Sequence, residues 1–247
     1  MTLPQSKISL TLDQIQNYSI CPRQLGYKLI NGDNGNSSLS PIRKIVKEII
    51  KQAYINRAQH SYTPQWETIK ARVNKACFED IDINNKAQFK IIYEQSITIL
   101  NILSGWYHKI FLSTKHEGIT NVPLSVVINR TTISYQADLV LYDSDYGIIP
   151  VLFNDNDILP TMLYNNIKYK SILWLLYKEL DVISKLSQYI FIGPNSLQVH
   201  NIYNKEDSIK RTGRYLEYIV TGIEKQIFYP CISSECNTCL YKDICTI

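Results

Sequence analysis

The apolar residues of the N-terminal half recur at helical spacing. In TLDQIQNYSICPRQLGYKLI, Leu12, Ile15 and Tyr18 fall on one face, and Thr11 and Gln14 stand at the spacing of a capping box, which predicts a helix over about 11–29. NGDNGNSS at 31–38 is a loop by composition, and PIRKIVKEIIKQAYINRA then starts a helix over 41–58 with Pro41 in its first turn. Ile42, Ile45, Val46, Ile49 and Ile50 form its apolar stripe. Two further helices are predicted over 65–78 and 86–113.

Beyond this point the pattern turns to strands. VPLSVVI, TTISYQADLVLYD and GIIPVLFN are β-rich runs divided by Asn129-Arg130 and by SDYG, which predicts a three-stranded meander. A helix over about 160–180 follows, then QYIFIG and LQVHNIY as two strands joined by Pro194-Asn195, then a helix over about 205–227. The order predicts an α/β class, a mixed sheet flanked by helices with a helical N-terminal lobe. No repeat or linker divides the chain, so a single domain is expected: 1–29 N-terminal helix, 30–118 helical lobe, 119–204 sheet core, 205–247 C-terminal helix and tail.

The 247 residues suffice for a substantial core, and 45% apolar with 19% charged residues excludes a disordered chain. A formal charge of +4 is compatible with a polyanionic partner but does not establish one. The first residues, MTLPQSKISLTL, lack a basic start followed by an apolar run, and nowhere do about 20 apolar residues run together. A cytoplasmic protein without a membrane partner is expected.

Cysteine usage changes the picture most. Four of the six cysteines crowd the tail as YPCISSECNTCLYKDIC, spaced C-x4-C-x2-C-x5-C, and in a reducing compartment such crowding favours metal over disulfides. The residues admit a local zinc site of Cys231, Cys236, Cys239 and Cys245, or scattered buried thiols. Cys21, in SICPRQ, is remote in sequence and immediately precedes a proline.

Ser9, Ile15, Tyr18, Cys21, Pro22 and Arg23, together with a C-terminal C-x2-C-x5-C after Tyr-Pro, give the chain a pattern that resembles the RecB-like iron-sulfur branch of the PD-(D/E)XK nucleases. That branch includes the exonucleases of CRISPR adaptation. The resemblance spans nearly the whole chain in order, although only the two cysteine motifs are specific and the helical middle is matched by pattern alone. It implies a restriction-endonuclease-like core and an iron-sulfur cluster, of the 4Fe-4S type, held by Cys21, Cys236, Cys239 and Cys245, with zinc as the alternative. Cys231 is then a spare, and Cys77 a buried small side chain.

The resemblance also implies where catalytic groups should stand. The family uses Mg²⁺ or Mn²⁺ held by acidic groups, with a lysine at the attacking water. In RKIVKEIIKQAY, Lys47 occupies the place of the family's histidine, and in YQADLVLYD, Asp138 matches the strand aspartate. In GIIPVLFNDND the family's glutamate and lysine would fall at Leu152 and Asn154, neither of which can do that work. Asn165 and Tyr169 stand at the spacing of the family's Gln-x-x-x-Tyr. The expected outcome is an inactive nuclease-like scaffold that binds DNA or a protein partner in a DNA-processing assembly. Arg23, Lys210, Arg211 and Arg214 are the candidate DNA-binding groups, with Tyr215 and Tyr218 between the basic positions. The alternatives are an active exonuclease whose ligands have moved to Asp155, Asp157, Lys168 or Lys170, and a zinc-stapled interaction module.

Overall fold

The structure, a computed structural model, describes residues 8–31, 40–60, 63–79, 85–153 and 166–229, with Cys231, Cys236, Cys239, Tyr241 and Cys245 of the tail. The described elements are β1 (Ile8–Thr11), α1 (Leu12–Ile20), α2 (Pro22–Asn31), α3 (Pro41–His60), α4 (Trp66–Phe78) and α5 (Lys86–Trp106), then β2 (Glu117–Ile128), β3 (Thr131–Asp143) and β4 (Gly147–Phe153). After them come α6 (Ile167–Leu180), β5 (Leu186–Ile192), β6 (Leu197–Tyr203) and α7 (Glu206–Glu224).

The predicted N-terminal helix is two helices preceded by a strand. The capping box forms as expected: the Gln14 N–H donates to Thr11 Oγ1 at 3.3 Å and the Thr11 N–H donates to Gln14 Oε1 at 2.8 Å. The helix stops at Cys21, whose backbone is extended at φ −151°, ψ 106°. Pro22 is the cause, because a prolyl ring excludes the residue before it from helical dihedrals and then suits the first turn of the next helix. The predicted 86–113 helix is also interrupted, widening into a π-turn over Tyr107–Phe111. There the buried Arg57 guanidinium donates to the carbonyls of Phe111 (2.7 Å), Thr114 (2.7 Å) and His116 (3.2 Å), and it stacks over the Phe111 ring at 3.7 Å. A planar fork of donors thus gathers the carbonyls that the end of a helix leaves unpaired.

β3 organises the sheet. β2 pairs antiparallel along nearly all of one edge, while β1, parallel, and β4, antiparallel, share the other edge at Thr131–Ser134 and Leu139–Asp143. β5 continues parallel to β4 through Val151↔Gln188 and Phe153↔Ile190, and β6 closes antiparallel to β5. Two apolar cores lie on the two faces of the sheet. The first unites α1, α2, α6 and α7 around Leu25, Trp174, Leu175 and Leu216. The second unites α3, α4 and α5 with β3, β4 and β5 through Ile50, Tyr54, Trp106, Leu139 and Ile190. Of the N-terminal helices, α3, α4 and α5 therefore cover one face of the sheet directly, while α1 and α2 pack on the other.

The chain ends meet on the first face. Tyr18 donates its hydroxyl to the Ile227 carbonyl at 2.9 Å, the Arg23 N–H reaches the Tyr229 carbonyl at 3.2 Å, and the rings of Tyr27 and Tyr241 lie 5.1 Å apart. Two glycines permit this approach: a Cβ on Gly222 would stand 2.3 Å from the Tyr18 hydroxyl, and one on Gly26 would stand 2.9 Å from the Phe228 ring.

Candidate functional site

Asp138 lies midway along β3, opposite a distortion in β2. Asn121, between the Thr120↔Leu139 and Val122↔Ala137 pairs, has a φ of 56°, a left-handed conformation that asparagine tolerates better than most residues. Ala137 belongs to the first core whereas Leu139 and Leu141 belong to the second, so the alternation of β3 slips by one residue at Asp138. The carboxylate meets α3 at this slip.

Two lysines one turn apart on α3 meet it there. Lys47 Nζ stands 2.7 Å from Asp138 Oδ2 and Lys51 Nζ 3.8 Å from Oδ1, and Lys51 also donates to Asn121 Oδ1 and Glu48 Oε1, each at 3.2 Å. The Lys47, Lys51 and Asp138 side chains are 12%, 8% and 24% exposed, so the ammonium groups are held close to the carboxylate with little water between them. Lys47 also approaches the Phe153 ring, 5.4 Å from its centroid. A divalent cation arriving at Asp138 would have to displace one fixed ammonium and sit beside a second. Among the described residues no three His, Cys, Asp or Glu side chains are placed to hold a metal ion.

The remaining candidates do not join this cluster. Leu152 packs against the first core, so the β4 neighbour of Lys47 is the apolar Phe153. Asn154, Asn165, Asp155 and Asp157 lie outside the described residues. Tyr169 is buried on the first face, where its hydroxyl donates to Asn204 Oδ1 at 2.5 Å. Asn204 in turn donates to the Ser184 carbonyl (3.0 Å) and to Ser187 Oγ (2.7 Å), a network that ties α6 to the β5–β6 hairpin. Lys168 pairs with Asp13 at 2.7 Å.

The candidate DNA-binding groups spread over α2 and α7. Arg23 is in the first turn of α2, and Lys210 is paired with Glu206 at 2.6 Å. Arg211 and Arg214 are exposed on α7 beside the exposed Tyr215 and Tyr218. Arg211 and Tyr215 line a hollow of about 710 Å³ between α1, α6 and α7, which also includes Lys170.

All six cysteines are unbridged and partly exposed, including Cys77. The tail thiols follow the segment that docks on α1 and α2, with the Cys236 thiol directed to the Cys231 carbonyl at 3.6 Å and the Cys245 N–H bonded to the Tyr241 carbonyl at 2.9 Å. Their chemistry suits a thiophilic centre such as iron-sulfur or zinc, but Cys21 and the tail thiols do not form a three-ligand group as placed, and ligation would require them to converge.

One further titratable pair escapes a reading of the sequence. His116 Nε2 lies 2.9 Å from Asp143 Oδ2, and the other carboxylate oxygen accepts the N–H groups of Tyr146 (2.9 Å) and Asp145 (2.8 Å). These N–H groups, that of Tyr146 first, hold the Asp143 carboxyl below its ordinary range, and His116 adds to the effect. Asp143 thereby fixes the β3–β4 turn. Lys51, Asn121 and Phe153, which complete the Asp138 cluster, were also not singled out. Their only sequence signal is the i, i+4 repetition of lysine along an amphipathic helix.

No protein-family model and no curated protein sequence matches the chain. Among solved structures, a candidate exonuclease from Eubacterium rectale is similar in fold, with a TM-score of 0.51 at 12% identity over 100% of this chain and 95% of that one. The crystal structure of SSO0001 matches over 99% of this chain and 88% of its own, at 12% identity and a TM-score of 0.44. The mixed six-stranded sheet between helical layers is thus a nuclease-like fold. Among the described residues no helix is long and apolar enough to cross a membrane.

Proposed function

We propose that this chain is a nuclease-fold protein that no longer cuts, serving as a DNA-binding or partner-binding scaffold in DNA processing. One observation carries the reading: the strand carboxylate that a RecB-like nuclease would use for metal is neutralised from within, with Lys47 at 2.7 Å and Lys51 at 3.8 Å. Internal cations stand where the reaction needs an external one. Leu152, at the position of the second acidic ligand, offers no oxygen. Nuclease-like folds bind nucleic acid, and the exposed arginines and tyrosines of α7 are compatible with that use.

In this reading Cys21, Cys236, Cys239 and Cys245 hold an iron-sulfur cluster that fastens the tail to the N-terminal helices. The Tyr18–Ile227, Arg23–Tyr229 and Tyr27–Tyr241 contacts support it, because they already bring the two cysteine-bearing segments onto one face. The cluster is structural, and no catalytic step depends on it.

The test is cleavage of single- and double-stranded DNA with Mn²⁺ by anaerobically purified protein of measured iron and zinc content, with Asp138→Ala as control. No cleavage by iron-containing, folded protein is expected. Cleavage that vanishes in the control would instead establish a working metal site rebuilt around Asp138. Zinc without iron, and no DNA affinity, would favour an interaction module.

A further inference from the structure

The sheet separates two surfaces with different chemistry. The Lys47–Asp138 cluster belongs to the α3 face, whereas on the opposite face a hollow of about 710 Å³ between α1, α6 and α7 adjoins one of about 590 Å³ between α6, the end of β6 and α7, the two sharing Lys170 and Ser208. Among the described residues no carboxylate lines either hollow, while Lys170, Lys205 and Arg211 do. Of the nearby acidic groups, Asp13 and Glu206 are neutralised by Lys168 at 2.7 Å and Lys210 at 2.6 Å, and Asp207 is exposed in the first turn of α7. Among the described residues Lys170 and Lys205 have no carboxylate partner, so their charge is available to a ligand.

Aromatic side chains flank these cations. Tyr215 lines the larger hollow and is 48% exposed, Tyr203 lines the smaller and is 62% exposed, and Tyr218, one turn beyond Tyr215 on α7, is 77% exposed. The Tyr203 ring also lies 6.4 Å from that of Tyr146, so two rings stand together at the end of the smaller hollow. Cations along a cleft, with exposed aromatic rings beside them, match a polyanion that also presents unpaired bases. Duplex DNA would meet the cations but leave the rings unused, since its bases are stacked on each other.

We propose that the groove running between α1, α6 and α7 and on past the end of β6 is a path for single-stranded nucleic acid, on the face of the sheet away from Asp138. The proposal rests on the nucleic-acid reading above and assigns it a place and a strand state. Lys170, Lys205 and Arg211 take backbone phosphates, and Tyr215 and Tyr203 take bases.

Fluorescence anisotropy with labelled oligothymidylate and with a duplex of equal length tests it, in a salt series, on wild type, Lys170→Glu/Arg211→Glu, Tyr215→Ala and a control, Lys90→Glu/Lys109→Glu. The control carries the same charge change on the exposed side of the α5 segment. Wild type is expected to prefer the single strand. The groove double variant should lose at least tenfold in affinity and flatten the log–log salt slope by about 1.4, at roughly 0.7 per phosphate contact on single strands. Tyr215→Ala should lose about 30-fold, at the middle of the range for one stacked base. The control should change far less. Melting curves check each fold, and Lys170→Gln/Arg211→Gln is the milder substitute if the glutamates unfold the protein. Wild-type binding equally weakened by groove and control variants would overturn the groove while leaving a nucleic-acid role intact. Absence of any wild-type binding would overturn both, and a preference for duplex would overturn the single-strand assignment.

Discussion

At the scale of single residues, Asp138 depends on its two lysines as they depend on it. Removing the carboxylate leaves Lys47 and Lys51 facing each other in a mostly dry site, and removing Lys47 leaves Asp138 with the more distant Lys51. Urea denaturation should therefore show Asp138→Ala destabilised by about 1–2 kcal/mol, below the cost of breaking a fully buried pair because the carboxylate keeps some solvent. The double variant Asp138→Ala/Lys47→Met should cost less than the sum of the single changes, by about 1 kcal/mol. Strict additivity would show that the pair is incidental. Asp138 was legible in the sequence as a lone carboxylate in an apolar strand, and Lys47 as a departure from the family pattern. Their contact was not legible, because charge pairing between a helix and a strand depends on where the slip in β3 points the side chain. Lys51, which reads as an ordinary surface lysine, is buried by the same geometry.

At the scale of elements, the packing of α1 on α7 depends on a missing side chain. Gly222→Ala would push a methyl into the Tyr18 hydroxyl, which is itself bonded to the Ile227 carbonyl. The expected cost is about 1–3 kcal/mol, and near-UV circular dichroism should report a changed Tyr18 environment. A neutral substitution would mean that α7 can shift without disturbing the docked tail. Element identity was largely legible: all the predicted helices and strands have counterparts, since amphipathic period and cap chemistry act locally. β1 was missed, and Ile8–Thr11 shows why. Four residues before a capping box carry too little pattern, and only pairing with Thr131–Ser134 makes them a strand. The π-turn was missed for a similar reason, since the carbonyl-gathering guanidinium of Arg57 comes from another helix.

At the scale of the whole molecule, α1 and α2 meet the segment that follows α7, through Tyr18–Ile227, Arg23–Tyr229 and Tyr27–Tyr241. If Cys236 helps to ligate a cluster, Cys236→Ala in anaerobically purified protein should lose iron and the associated visible absorption, and melt several degrees lower because the loop restraint is gone. Unchanged melting would remove the cluster's structural role. The sequence by itself determined the α/β class, the order of elements and the two cysteine motifs, because periodicity, capping and spacing are written in neighbouring residues. Only the tertiary structure decided which groups share a site. It placed Lys47 and Lys51 against Asp138, turned Leu152 away from them, buried Tyr169 in a hydrogen-bond network, and lined a groove on the other face with cations. These outcomes depend on which face of the sheet each side chain leaves from and which helix crosses there, and neither is fixed by local sequence.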